Sequence, residues 1–436
     1  MRYIADLHIH SRYSRACSPN LTPSNIAAWC RAKGIDIVAT ADFTHPLWLA
    51  ELEEKLEEAE PGLYRIGDKY AAEDGGKGYR PAPQAKNGRN VRFICSTEIS
   101  CIYKKGDRTR RLHLVVLAPD LKAARRLSER LEADGYNVRS DGRPILGLPA
   151  DGLLKVCLEI DPGFMVIPAH AWTPWYSVFG SKSGFDSLEE CFGDLSKEIY
   201  AIETGLSSDP PMNWRLSALD SVMLVSNSDV HGLANLGREA NVFDIDQSEL
   251  GFKAIADILK KHDLKRFLYT IEFFPEEGKY HADGCAACGF SCLPRETDRL
   301  GGRCPKCRKL ITRGVMGRVH SLADREENPA MPKLAVPYRS IVPLEGIIAE
   351  TLGRGKAAKA VDAMYRRTLG KIGPEFDVLL DADEPSVSAV HAPLAEAIRR
   401  VRAGQVSLCP GYDGVFGQVA IFDQKERERM KQGKLL

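Results

Sequence analysis

The feature that most constrains this chain is a series of histidines and carboxylates placed at or near the ends of short β-like runs. The first is Asp6-Leu7-His8-Ile9-His10. On an extended segment alternate side chains share a face, so Asp6, His8 and His10 point the same way. Two imidazoles roughly 6–7 Å apart along a strand can converge on one ion. Asp6 is either a ligand itself or a carboxylate behind the pair that orients a ring. A lone His-x-His is as readily a pair of satisfied structural histidines. The pattern recurs, however, at Asp42-Phe43-Thr44-His45, Thr97-Glu98, Leu112-His113-Leu114, Pro168-Ala169-His170 and Asp229-Val230-His231. In a barrel or α/β sheet the carboxyl ends of strands form the active face. The expected ligand set is therefore His8, His10, Asp42, His45, Glu98, His113, His170, Asp229 and His231, with His8, His10, Glu98 and Asp229 as the catalytic core. Glu98, inside an apolar run, is the expected bridging carboxylate.

Mixed imidazole and carboxylate ligands suit Zn, Mn, Mg or Fe rather than Ca²⁺. Seven to nine ligands exceed the capacity of one ion, so two or three divalent metals are expected. Such centres clamp the attacking and leaving oxygens of phosphoryl transfer and generate hydroxide at neutral pH. Gly353-x-Gly355 is not a phosphate loop, because no Gly-Lys-Ser/Thr follows it.

These elements sit in an alternation of strands and helices over the first 240 or so residues, which implies a mainly parallel α/β sheet or barrel. Thr22-Pro23 and Gly34 bound one helix. The acidic run Leu47 to Glu60 reads as another. Residues 62–90, rich in Gly, Pro, Lys and Arg, interrupt the rhythm as a long insertion. The expected units are 1–240 for the catalytic barrel, 241–280 for its end and connection, 281–315 for a cysteine module, and 316–436 for an α-rich C-terminal domain.

The ordered motifs Asp6-Leu-His8-x-His10, Asp42, Glu98, His113, Pro-Ala-His170 and Ser-Asp229-x-His231 resemble the polymerase and histidinol phosphatase (PHP) superfamily over residues 1 to about 240. The resemblance implies a distorted (β/α)7 PHP barrel that binds three metals. Two positions depart from it. Ala41-Asp42-Phe43 stands where the superfamily has Thr-Asp-His, so Asp42 or His45 would replace that histidine. Ala16-Cys17-Ser18 stands where an acid or histidine is common.

Of twelve cysteines, Cys285 and Cys288 form one Cys-x₂-Cys knuckle and Cys304 and Cys307 another, with fifteen residues between the two. Two knuckles make a tetrahedral site for one structural zinc. Cys292 has no matching partner spacing. The remaining thiols fit a reducing compartment. Arg295, Arg299, Arg303, Lys306, Arg308, Lys309 and Arg313 surround this segment. Arg354, Lys356, Lys359, Arg366, Arg367, Lys371, Arg399, Arg400 and Arg402 make the C-terminal region basic. Both stretches read as phosphate contacts or as solvated faces. The formal net charge is only +1, so the chain as a whole does not advertise nucleic acid and local charge must carry that case.

Further motifs narrow the likeness. Asp42-Phe-Thr-His45-Pro46, Pro168-Ala-His-Ala-Trp172-Thr-Pro-Trp175, Leu236-Gly-Arg-Glu-Ala-Asn241, Gly278-Lys-Tyr-His281-Ala-Asp283, Val342-Pro-Leu-Glu345 and Pro410-Gly-Tyr-Asp-Gly414 resemble the endonuclease Q family across nearly the whole chain. That resemblance implies a DNA repair endonuclease that nicks 5′ to deaminated bases (uracil, hypoxanthine, xanthine) or abasic sites, leaving 3′-hydroxyl and 5′-phosphate ends. The implied partner is double- or single-stranded DNA carrying such lesions, with a sliding clamp as a further candidate. Candidate DNA contacts are Trp172, Trp175, Tyr176, Arg238, Arg308 and Tyr412, with Phe43 near the same face. No apolar run of about 18 residues suggests a membrane span. Without a signal-like N-terminus, a cytoplasmic, nucleoid-associated location is expected. The alternatives are a histidinol phosphatase-like enzyme, which needs neither zinc module nor basic C-terminal region, and a non-catalytic DNA-binding zinc protein, which needs no intact ligand series.

Overall fold

A computed structural model describes residues 1–327 and 329–431. Its frame is a ring of seven strands. Arg2–Asp6 pairs parallel with Ile37–Ala39, which pairs parallel with Arg92–Ile94. Beyond Cys95 the chain continues as Ser96–Lys105. It reverses at Gly106-Asp107, with Gly106 at φ 61°, into the antiparallel strand Arg108–Leu117. Glycine in the left-handed region suits so tight a hairpin. Arg108–Leu117 then pairs antiparallel with Met165–Pro168. Ala201–Glu203 and Met223–Val225 pair parallel and complete the ring. Ala171 N–H donates to Glu203 O on one side, and Asp229 N–H donates to His8 O on the other. This is the expected α/β barrel, with one correction: Arg108–Leu117 runs against both neighbours, so the ring is mixed.

The first strand also pairs antiparallel with Ala240–Asp244, which pairs antiparallel with Phe267–Glu272. Tyr338–Ser340 then adds a parallel strand to Phe267–Glu272. The barrel's sheet thus extends well past residue 240. The segment expected to open the C-terminal domain at 316 supplies one of its strands.

The helix Pro23–Lys33 starts at Thr22, whose hydroxyl accepts from Asn25 N–H, and ends at Gly34 with φ 87°. The acidic helix is shorter than its composition suggests. Pro46–Lys55 is helical, but Leu56–Glu60 is a strand paired antiparallel with Leu63–Ile66. Pro61-Gly62 forces the turn. Gly62 lies at φ 73°, and a Cβ there would strike the Pro119 carbonyl. Register against a partner outweighs helix propensity here.

The insertion straps the barrel to the C-terminal helices. Asp74 exchanges two hydrogen bonds with Asn25. Arg80 pairs with Glu345 and Asp362, Lys86 N–H donates to Leu369 O, and Arg89 pairs with Asp377. The helices Leu344–Thr351, Lys359–Lys371 and Ala392–Arg402 pack through Leu344, Ile348, Tyr365, Leu369, Leu394 and Ile398, all buried. A buried ion pair joins the two bodies. Lys33 Nζ lies 2.6 Å from Glu375 Oε2, and Glu375 also accepts from Tyr365 OH and Leu344 N–H. Breaking one partner would leave a buried charge uncompensated, at a cost of ~3–5 kcal/mol.

Candidate metal centre

His8 and His10 lie just past the end of the first strand, and the barrel brings the other strand-end motifs to them. Three ligand triads form: His8, His10 and Glu98; His10, Asp229 and His231; Glu98, His113 and His170. His10 belongs to two triads and so does Glu98. His10 Nε2 is 3.0 Å from Asp229 Oδ1 and 3.4 Å from Glu98 Oε2. Glu98 Oε1 is 2.9 Å from His113 Nδ1 and 3.2 Å from His170 Nε2. His231 stands with its ring centroid 4.7 Å from that of His10.

The group is built for cations. His8 Nε2 is buried and has no hydrogen-bond partner among the described residues, facing Glu98 at 3.7 Å and Asp229 at 3.8 Å. A buried polar atom is rarely left so without a ligand to meet it. Burial opposes charge on His8, but Glu203 and Glu98 prevail and hold the imidazole well above its usual value. Burial would raise Glu98, yet His113 and His8 hold it well below the carboxylate range. Asp229 is likewise depressed against burial by His10 and His8. Burial pushes His113 down to about 4, which leaves it neutral near pH 7, the form that ligates metals.

Strain gathers at the same place. Asp42, His170 and Asp229 have φ values of 41°, 30° and 46°. Non-glycine residues hold this region at a cost of order 1–3 kcal/mol, and only where the surroundings over-determine them. Gly205, at φ 61°, passes so near His170 that a Cβ would come within 2.6 Å of the His170 Cβ.

Asp42 and His45 stand apart from the triads. Asp42 accepts hydrogen bonds from Ser11 N–H at 2.8 Å, the Ser11 hydroxyl at 2.6 Å and the Ser14 hydroxyl at 2.7 Å, and faces His10 Nδ1 at 3.4 Å. It meets the His10 ring at the nitrogen opposite the one that faces Asp229 and Glu98. His45 stacks on Tyr13 and meets the Arg139 carbonyl through Nε2 at 3.1 Å. Asp6 is likewise no partner of an imidazole by hydrogen bond: it accepts from Ser228 and from Gly237 N–H, fixing the loop that carries Asp229.

Several residues with no motif complete the site. Glu203 places its two oxygens 3.1 and 3.2 Å from His8 Nδ1 and also accepts from Asn227 Nδ2 and His170 N–H. It ends an apolar strand much as Glu98 interrupts one, and that was the available signal. Ser177 supports His170 Nδ1 at 3.1 Å. Arg143 Nη1 reaches Glu98 Oε2 at 3.1 Å from an irregular loop that no periodicity marks.

The aromatic candidates divide. Trp172 is buried and donates to Asn213 Oδ1, and Phe43 is also buried, so both are packing residues. Trp175 is 43% exposed. Tyr176 lies with its ring 4.7 Å from that of His113. Trp175 and Tyr176 line a cavity of about 520 Å³ with Arg111, Thr173, Lys279 and Tyr280, a size within the usual ligand-pocket range. Arg238 is turned inward, donating to the carbonyls of Ser228 and Asp229. Tyr412 packs over Gly284, where a Cβ would strike its ring.

The four cysteines converge, with Cys285 and Cys307 sulfurs 3.8 Å apart. Each knuckle's second cysteine is followed by a left-handed residue, Gly289 at φ 57° and Arg308 at φ 63°. Arg308 is exposed on this module. The basic C-terminal helices are less available than their composition suggests. Arg366 pairs with Asp362, Arg399 with Glu396, Arg400 with Glu396 and Glu426, and Arg402 caps the carbonyls of Val378, Leu379 and Ala382.

The family model described as the MJ0043 C-terminal domain matches residues 343–405. The chain is 32% identical to the protein MJ0043 of Methanocaldococcus jannaschii over 276 residues, 62% of this chain and 34% of that protein, so it spans only about a third of that relative's length. It is 29% identical to YqxK of Bacillus subtilis over 95% of this chain and 98% of YqxK. Two solved structures are similar almost end to end. The lesion-specific endonuclease PfuEndoQ of Pyrococcus furiosus matches with TM-score 0.82 and 31% identity over 98% of both chains. An endonuclease Q bound to a 27-mer duplex with an abasic lesion at its active site matches with TM-score 0.80 and 32% identity over 97% of this chain and 98% of that one. The chain belongs to the endonuclease Q family.

Proposed function

We propose that this protein is a DNA repair endonuclease that hydrolyses the phosphodiester on the 5′ side of a deaminated base (uracil, hypoxanthine or xanthine) or an abasic site. The observation that carries the reading is the set of three triads sharing His10 and Glu98, beside an open cavity, in a chain that matches endonuclease Q along its length. Three overlapping triads suit two or three divalent ions held by His8, His10, Glu98, His113, His170, Asp229 and His231, and Cys285, Cys288, Cys304 and Cys307 suit one structural zinc. Bound ions would supply Lewis-acid stabilisation of phosphoryl oxygens and a water of lowered pKa.

The chain's own groups do the rest. Glu203 and Asp42 fix the two N-terminal imidazoles from behind. Arg143, half-buried beside Glu98, would offer its guanidinium to a phosphate of the substrate. A base in duplex must leave the stack to be inspected, and a deaminated or missing base leaves it more cheaply. The cavity lined by Trp175 and Tyr176 lies next to His113 and can hold the extruded nucleotide. No helix among the described residues is long and apolar enough to cross a membrane. Cytoplasmic work on nucleoid DNA, with a sliding clamp as a further partner, belongs to the same reading.

The test supplies purified protein, with Mn²⁺, Mg²⁺ or Zn²⁺, with duplexes carrying uracil, hypoxanthine or an abasic site, beside undamaged duplex and histidinol phosphate. Nicking 5′ to the lesion is expected, with His8→Ala and Asp229→Ala proteins binding DNA without cutting it. Turnover of histidinol phosphate alone would replace this reading with a small-molecule phosphatase.

A further inference from the structure

Large apolar side chains are exposed together on the hairpin formed by Ser407–Cys409 and Gln418–Ala420: Leu408 at 40%, Val415 at 41% and Phe416 at 68%. An apolar cluster in water is uninformative when single side chains are scattered, and informative when grouped on one element. This loop is also pinned. Gly411 N–H donates to Glu276 O, Ala282 N–H to Gly411 O, Gly414 N–H to Lys279 O and Gly417 N–H to Glu277 O. A Cβ at Gly417 would collide with the Glu276 carbonyl, so the close approach itself requires glycine. The chain therefore holds Phe416 in a defined place without covering it.

That place adjoins the proposed nucleotide cavity. The Phe416 ring lies 4.4 Å from Lys279 Nζ. Lys279 and Tyr280 line the cavity together with Trp175 and Tyr176. Tyr176 in turn packs on His113 of the Glu98 triad. From metal cluster to hairpin apex the order is His113, Tyr176, cavity, Lys279, Phe416. An extruded nucleotide leaves a gap in the duplex, and the neighbouring bases tend to close it. Apolar wedges inserted between base steps hold such gaps open and kink the duplex. The Lys279 ammonium beside the ring suits the phosphates flanking the step.

We propose that Phe416, next to the exposed Val415, is a wedge that enters the base stack of the lesion duplex and holds the gap left by the extruded nucleotide. This rests on the lesion-endonuclease reading and assigns a positioning role to a residue far from the metal ligands in sequence. The prediction separates duplex from single strand, because only a duplex has a stack to hold open.

The metal-loaded full-length protein, with Phe416→Ala and Phe416→Trp variants, is assayed on one abasic or uracil oligonucleotide, single-stranded and in duplex. A 2-aminopurine beside the lesion reports unstacking. Phe416→Ala is expected to slow duplex cleavage by about tenfold or more and to diminish the 2-aminopurine rise, leaving single-strand cleavage within about twofold. Phe416→Trp is expected to restore both. Duplex cleavage by Phe416→Ala at the wild-type rate would overturn the wedge, and point to a protein partner for this patch. So would an equal loss on both substrates. If the wild type cuts neither substrate, the endonuclease reading itself fails and the wedge falls with it; wild-type cleavage with an unaffected Phe416→Ala removes the wedge alone.

Discussion

The Glu203 carboxylate faces His8 Nδ1 at 3.1 and 3.2 Å, while the opposite nitrogen of the same ring is buried without a hydrogen-bond partner among the described residues. One edge of the imidazole is thereby committed to the protein and the other is presented to the ligand cluster. A carboxylate behind a metal-binding histidine fixes its tautomer and raises its basicity. Glu203→Gln should lower metal affinity or cleavage rate by about 10–100-fold while leaving the fold intact. Metal titration followed by activity checks this. Unchanged affinity and rate would show that Glu203 only fills space.

Asp42 should behave as a support for His10 and not as a ligand, because Ser11 and Ser14 occupy its Oδ2 while its Oδ1 faces His10 Nδ1. Asp42→Asn is expected to keep the wild-type metal content and lose about tenfold or more in rate. His231→Ala, by contrast, should lose bound metal. Metal per protein measured by elemental mass spectrometry distinguishes them, and loss of an ion from Asp42→Asn would make Asp42 a ligand.

Gly142 lies against this support. A Cβ there would collide with Asp42 Oδ2 and come within 2.6 Å of Ser14 Oγ. Gly142→Ala should reproduce the Asp42→Asn defect, and combining the two should cost much less than the sum, since both act on His10. Additive losses in cleavage rate would place the effect of Gly142 elsewhere.

A pH dependence of stability should arise beneath the site. Glu272 is fully buried, and burial raises its carboxyl to about 8; burial and Glu272 also raise Glu239. An unfolded glutamate titrates near ~4.3. The stability tied to the protonated Glu272 is therefore complete below about pH 4.3 and is lost as pH rises through about 8. Glu272→Gln cannot ionise, so its melting temperature should fall less between pH 5 and pH 8 than that of the wild type. Equal falls would mean that Glu272 ionises in the fold without penalty.

The cysteine module should be a zinc-dependent support for the hairpin that carries Phe416. Ala286 N–H donates to Asp413, and Ala282 N–H to the Gly411 carbonyl. Cys304→Ser should remove one equivalent of zinc, expose residues near 281–315 to protease, and weaken lesion-duplex cleavage more than single-strand cleavage. Limited proteolysis with metal analysis checks this. A protease-resistant protein lacking that zinc would show that the fold of the module does not need the ion.

The chemistry of the site was largely legible in the chain itself. His8, His10, Glu98, His113, His170, Asp229 and His231 each carry a local pattern, because strand ends place alternate residues on one face and few other uses call for imidazole there. The cysteine knuckles are legible for the same reason: two-residue spacings dictate tight turns. What only the tertiary structure decided depends on neighbours remote in sequence. Asp42 reads as a ligand from its motif alone, and only the fold shows Ser11 and Ser14 on its Oδ2 and His10 facing its Oδ1. Glu203 and Arg143 read as ordinary residues until the barrel closes and sets them beside His8 and Glu98. Trp172 and Arg238 look available to DNA until Asn213 and the Asp229 loop engage them. Leu56–Glu60 reads as helix until Leu63–Ile66 pairs with it. Phe416 acquires meaning only because the glycine-rich loop around it is pinned against residues 276–284, at the rim of the cavity. Local spacing determines which residues can ligate; only long-range packing determines which are free to do so, and what stands next to them.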